Sequence, residues 1–115
     1  MSKRRAPRPG APVRGSRTGR SIMAALDLLG RRWSLRILWE LRAGPVGARD
    51  LVGRCGGIST SVLYERLREL TDVGLVSQDE ANAYVLTEIG RDLAVALAPL
   101  DAWAERWARA LGNDR

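Results

Sequence analysis

Within the stretch Gly57 to Leu75, GISTSVLYERLRELTDVGL, polar residues able to bond a partner recur at helical spacing. At about 100° per residue, Ser61, Glu65, Arg68 and Asp72 share one face, with Tyr64 and Glu69 at its edges. The chemistry open to such a face is recognition. A guanidinium such as Arg68 can donate two parallel bonds to a guanine edge, and a carboxylate such as Glu65 can accept from a cytosine amino group, though phosphates repel it. Tyr64 can stack on a nucleic-acid backbone, touch a thymine methyl, or only cover the end of the helix.

Catalytic chemistry has no comparable set of residues. The chain has no histidine, one cysteine and no glycine-rich phosphate loop, so the usual nucleophile and base pairs cannot be assembled. Asp79 and Glu80 are neighbours in a turn rather than a spaced acid and base, and read as a solvated tip. No enzyme activity, no cofactor and no metal site is expected.

The elements that position the polar face follow from the apolar residues. Leu63, Leu67 and Leu70 stand at i, i+4 and i+7 on the opposite side, which is the buried one. Ser59 can accept the amides of the first turn, and Gly74 supplies the left-handed residue that commonly ends a helix. Before it, Ala48 to Cys55 is a short helical pattern with Leu51 and Cys55 at i, i+4, followed by Gly56 and Gly57. Short helix, glycine turn and second helix is a helix-turn-helix spacing. Helical hairpins with glycine turns are common in all-helical proteins, so the flanks decide the reading.

Upstream, Ile22, Ala25, Leu26 and Leu29 form a first helical stripe closed by Gly30. A second helix begins after Trp33, with Ser34 as its expected cap, Leu35, Leu38 and Leu41 facing inward, Ile37 beside them, and Gly44 with Pro45 as its stop. Val46 and Gly47 leave room for a brief edge pairing. Downstream, Leu75 to Gln78 and Ala83 to Leu86 flank the polar Asp79, Glu80, Ala81 and Asn82, which predicts a hairpin, and a hairpin after a recognition helix is a wing. Thr87 is expected to cap a helix carrying Ile89, Leu93 and Leu97, and Pro99 either kinks it or starts a new one. Leu93, Leu97, Leu100, Ala104, Trp107 and Leu111 then recur at spacings of 4, 3, 4, 3 and 4, with Trp103 beside them. This seam either packs on the first helix of the same chain or forms a dimer interface with it. Two tryptophans near the end of so short a chain favour the dimer.

Charge divides the 115 residues unevenly. Residues 1–20 carry seven cations, Arg4 and Arg5 among them, and no acid; the net charge of +6 is +7 from this tail and −1 from the remainder. The tail is expected to be a disordered basic arm that either adds phosphate contacts, in the minor groove or along the backbone, or serves only as a solubilising leader. Residues 21–111 are expected to form the domain and residues 112–115 a tail. One cysteine excludes an intrachain disulfide, and Cys55 reads as a buried structural thiol. The longest apolar run, Leu93 to Leu100, is broken by Pro99 and is too short to cross a membrane, so a cytoplasmic protein is expected.

The order of elements is that of a mainly α winged helix-turn-helix with a small β-hairpin wing. Three collinear segments, ALDLLGRRWSLRILWEL (Ala25 to Leu41), GISTSVLYERLRELTDVGLV (Gly57 to Val76) and YVLTEIGRDL (Tyr84 to Leu93), make the chain resemble the HxlR family of bacterial transcriptional regulators. The resemblance runs from about Ile22 to about Leu111. It implies a homodimer on double-stranded DNA at a pseudo-palindromic operator, paired through the first and last helices, with Ile22, Leu26, Leu97, Leu100, Trp103, Trp107 and Leu111 at the interface. By motif position it also implies that Ser59, Thr60, Ser61, Tyr64, Glu65 and Arg68 face DNA. Arg66 matches the family's arginine near the buried edge, where a structural or phosphate contact is expected. Many members carry a cysteine before the first helix; here Arg20 stands at roughly that place. The wing is short and has Asp79 and Glu80 where basic or neutral residues are usual. Space between the dimerisation helices could hold a small-molecule effector that the residues do not identify. The near-neutral body supports an alternative, a winged-helix protein-interaction module with weak or incidental DNA binding.

Overall fold

Leucines at helical spacing build the centre of the molecule. In the computed structural model, which describes residues 6–12 and 19–112, the elements run α1 (Ser21–Leu29), α2 (Ser34–Leu41), α3 (Ala48–Cys55), α4 (Thr60–Asp72), β1 (Val76–Gln78), β2 (Tyr84–Leu86) and α5 (Glu88–Ala110). Leu63, Leu67 and Leu70 of α4 are fully buried and meet Ile37 and Leu41 of α2, Leu51 of α3 and Val76 of β1 in one core. The fold is a winged helix-turn-helix, mainly α with a two-stranded antiparallel wing.

The wing is two short strands in the register Val76 to Leu86, Ser77 to Val85 and Gln78 to Tyr84. Val46 extends it by one bridge, exchanging both backbone bonds with Tyr84 at 3.0 and 2.9 Å. Its turn is organised by Asp79, whose Oδ1 accepts from the amides of Ala81 and Ala83 at 2.9 Å each, while Asn82 takes the left-handed conformation. The acid that is unusual in a DNA-binding wing thus holds the turn closed. Thr87 joins the wing to the last helix: its hydroxyl donates to the Gly74 carbonyl at 2.6 Å and accepts from the Gly90 amide at 3.1 Å. One side chain therefore caps α5 and fixes it to the exit of α4. Gly90 completes the joint, because a Cβ there would overlap the Leu75 carbonyl.

Two expectations from periodicity need correction. Ser34 does not cap α2; it is the first helical residue, buried, with its Oγ lacking a hydrogen-bond partner. The cap position is Trp33, which adopts φ 78°, a conformation that costs a bulky residue about 1–3 kcal/mol and persists only where packing enforces it. Leu35 is 38% exposed, because α2 turns Ser34, Ile37, Leu38 and Leu41 toward the core and leaves Leu35 about a quarter turn away. In α1 the buried residues are Ala24 and Leu28, whereas Ile22 and Leu26 are 52% and 58% exposed. The stronger apolar stripe of that helix points away from its own core.

Pro99 neither ends α5 nor starts another helix, since α5 is continuous from Glu88 to Ala110. Its first half packs on α2 and β2, and its second half presents Leu100, Trp103, Trp107 and Leu111 to solvent. Trp103 and Trp107 stack with ring centroids 5.4 Å apart. No helix among the described residues is long and apolar enough to cross a membrane.

Residues 6–12 lie against the body. Ala6 and Pro7 are buried, Arg8 Nη2 reaches the carboxylate and carbonyl of Asp72 at 2.7 and 2.9 Å, and the Gly10 amide donates to the Gly19 carbonyl at 2.9 Å. Residues 1–20 are expected to be a disordered arm, and of these the described residues 6–12 are seated on the body. A buried methyl and a two-point guanidinium contact hold this stretch instead. Arg4 and Arg5 lie outside the described residues.

Candidate nucleic-acid interface

The helix-turn-helix is closed by backbone conformation. Gly56 and Gly57 both take positive φ, 56° and 108°, and turn the chain sharply between α3 and α4. Ser59 then caps α4, its Oγ accepting from the Val62 amide at 3.2 Å and lying 3.4 Å from the Ser61 hydroxyl. Leu63, Leu67 and Leu70 fix the roll of α4, so the opposite face is held outward. Thr60, Ser61 and Arg68 are exposed on it, and Glu65 is half-buried at its side.

The basic residues of α4 stand in different surroundings. Arg66 is engaged within the protein: its Nε donates to the Arg32 carbonyl at 2.8 Å and its Nη1 to Glu69 Oε1 at 3.2 Å, with Glu65 at 3.7 Å. Arg31 binds the other oxygen of Glu69 at 2.8 Å. Glu69 thus holds two arginines and ties α4 to the turn before α2. Arg68 forms no ion pair with the other described residues and projects from the outward face. Arg66, expected near the buried edge as a structural or phosphate contact, directs its Nε and Nη1 donors into the protein.

Tyr64 is 45% exposed and lines a groove of about 270 Å³ between α3 and α4 with Ala48, Arg49, Val52 and Thr60. Sequence reasoning misses Arg49 because it belongs to a different element and only the turn brings it beside Thr60 and Tyr64. A cation in the first turn of the leading helix is the signal available. Cys55 is buried on the inner side of α3, and burial pushes its thiol pKa up, partly opposed by Arg36. That favours the inert thiol over the thiolate. The same cause, burial, raises the Tyr84 pKa.

Of the residues expected at a dimer interface, Ile22 and Leu26 on α1 and Leu100, Trp103, Trp107 and Leu111 on α5 are exposed, while Leu97 is half-buried. Between α2 and α5 lies an apolar cleft of about 660 Å³, bounded by Leu35, Leu38, Trp39, Leu93 and Leu97, with the Arg42 guanidinium 3.5 Å from the Trp39 ring centroid.

Comparison with known proteins bears on the same elements. Residues 28–111 match the model of the HxlR-like helix-turn-helix family. An uncharacterized HTH-type transcriptional regulator of Mycobacterium tuberculosis, Rv3095, is 40% identical in an alignment of 95 residues that covers 77% of this chain and 60% of the relative. The chain therefore spans about 60% of the length of the mycobacterial relatives it matches. The uncharacterized HTH-type regulator YvaP of Bacillus subtilis is 33% identical over 89 residues, covering 72% of this chain and 82% of its own. Quinone-bound YodB from B. subtilis has a similar structure, with a TM-score of 0.68 at 33% identity over 74% of this chain and 94% of YodB. The matched residues span the helix-turn-helix, the wing and the last helix, and the chain belongs to the HxlR-like helix-turn-helix family of transcriptional regulators.

Proposed function

We propose that this chain is a DNA-binding transcriptional regulator that acts as a cytoplasmic homodimer on a pseudo-palindromic operator. The observation that carries the reading is the roll of α4, which buries three leucines and turns Ser61 and Arg68 outward beside Thr60 and Tyr64. A helix so held enters a major groove with its N-terminal residues nearest the base edges. Arg68 is the base-reading cation, Ser61 and Glu65 add modest readout, and Ser59 mainly caps the helix. Arg66 orients α4, and Arg4 and Arg5 supply phosphate contacts from the arm.

Dimerisation is supported by exposure. Ile22 and Leu26 of α1 and the Leu100, Trp103, Trp107 and Leu111 surface of α5 form apolar area that a second copy would cover. The relatives are named transcriptional regulators, which accords with a chain that performs no catalysis. A small-molecule effector suits the α2–α5 cleft, whose volume falls within the usual range of ligand sites. The quinone-bound structure of YodB supports the reading that this chain too binds a small effector.

Selection of genomic fragments with the purified full chain, followed by sequencing, tests the function. Recovery of one inverted-repeat site supports the operator reading. Recovery of random fragments alone would support the protein-interaction module, to which the acidic wing turn of Asp79 and Glu80 lends some weight.

A further inference from the structure

The turn between α1 and α2 carries a charge that the interface described above does not use. Trp33, in its left-handed conformation, sets its ring against the helix-turn-helix: Cη2 lies 3.9 Å from the point a Cβ on Gly57 would occupy. On the same ring rests the Arg32 guanidinium, 5.4 Å from the centroid. The Arg32 carbonyl accepts from Arg66 Nε, which joins this turn directly to α4. Neighbouring cations are occupied: Arg31 and Arg66 meet Glu69, and Arg36 meets Glu40 at 2.9 Å and the Arg54 carbonyl at 2.6 Å. Arg32 is exposed and forms no ion pair with another described residue.

We propose that Arg32 forms a phosphate-binding shoulder that grips the DNA backbone next to the groove occupied by α4. The proposal rests on the DNA-binding reading and adds a second contact surface to it. Position favours phosphate over base. Arg32 lies on the Trp33 ring, which packs at Gly57 in the turn that leads into the N-terminus of α4, yet Arg32 is not on the outward face of that helix. Charge favours it as well. Apart from Arg68, the outward side of α4 offers Glu65 and Asp72, and the wing turn offers Asp79 and Glu80, so backbone contacts from the body must come from elsewhere. A guanidinium held over an indole face keeps its edge donors free, and five N–H groups in a rigid fork suit a phosphate. The Trp33 conformation then has a purpose, since it places the ring that carries the cation.

The test compares the full-length protein with Arg32→Gln and Arg32→Lys on a fluorescent duplex of random sequence, titrated at a series of KCl concentrations. The Gln variant should flatten the plot of log affinity against log salt by about 0.9 for each phosphate no longer neutralised, and the Lys variant should keep most of the slope. Preference between a selected fragment and the random duplex should not change. An unchanged slope for Arg32→Gln, with thermal melting like that of the parent, overturns the proposal, as does a change in sequence preference. Saturable binding of inorganic phosphate alone, with the DNA slope intact, would overturn it in favour of a small-anion site. If the parent protein binds neither duplex, the DNA-binding reading itself has failed, and that outcome is visible before any variant is measured.

Discussion

At the scale of single residues, the site depends on how neighbouring charges are shared. Arg66 and Arg68 are two positions apart on α4, but Glu69 and the Arg32 carbonyl hold the first while the second projects outward. Arg68→Ala is expected to weaken specific binding by about 1–3 kcal/mol and to relax preference at one base pair. Titration against single-base operator variants checks this, and equal weakening on every sequence would assign Arg68 to phosphate. Cys55 makes a second residue-level prediction. Its raised pKa and burial mean that a thiol reagent should modify it slowly in the folded protein near neutral pH and rapidly in denaturant. Raising the pH toward the shifted value should speed the reaction, because only the thiolate attacks. Immediate labelling of the native chain would show that α3 opens readily. The division between these two arginines is partly legible in the sequence: residue spacing puts Arg66 near the buried edge and Arg68 at the outward centre. Arg49 and Arg32 are not legible there, since each becomes part of the surface only after another element folds against it.

At the scale of elements, the boundaries that residue type determines are readable from the sequence and those that tertiary packing determines are not. Ser59, Thr87 and Gly74 stand where their side-chain or backbone chemistry suits them, and each closes a helix as the sequence suggests. Ser34 has the same chemistry yet lies inside its helix, because the Trp33 ring packs on the helix-turn-helix and takes the cap position. No local rule foresees a left-handed tryptophan. Pro99 shows the opposite case, where a helix breaker is carried through a 23-residue helix. The joint between α4, the wing and α5 supports a further prediction. Gly90→Ala should lower stability by about 1–3 kcal/mol, as overpacking of a tight contact does, because its methyl would overlap the Leu75 carbonyl. Urea denaturation measures it; a melt unchanged from the parent would mean that α5 can slide away from β1 at no cost.

At the scale of the whole molecule, apolar stripes reveal that a surface must be covered but not by which chain. The Ile22 and Leu26 stripe is visible in the sequence, where it suits the core of its own domain as well as a partner; the fold leaves it outward. Trp107, 55% exposed, is the sharpest probe of the partner. Trp107→Asp should convert a dimer to monomers at micromolar concentration in sedimentation, and a parent protein that sediments as a monomer would remove the two-groove arrangement altogether. The arm is tested at the same scale. Deleting residues 1–20 should flatten the salt dependence of binding by about 0.9 for each phosphate the arm had neutralised, while leaving sequence preference nearly intact. If preference at A·T pairs changes instead, the arm reads the minor groove, and if nothing changes it is a passive leader. The tryptophans have one more consequence, an optical one. With four tryptophans, two tyrosines and no phenylalanine, intrinsic emission comes almost wholly from two places: Trp33 and Trp39, each beneath a guanidinium near α2, and the stacked Trp103 and Trp107 on α5. The second pair should be spectrally distinct through its ring-to-ring coupling and should lose water on dimerisation, whereas the first pair borders the proposed phosphate contact and the apolar cleft. Unlabelled protein therefore contains separate light-reporting sites for assembly and for ligand contact, and a single-tryptophan series would separate the two signals.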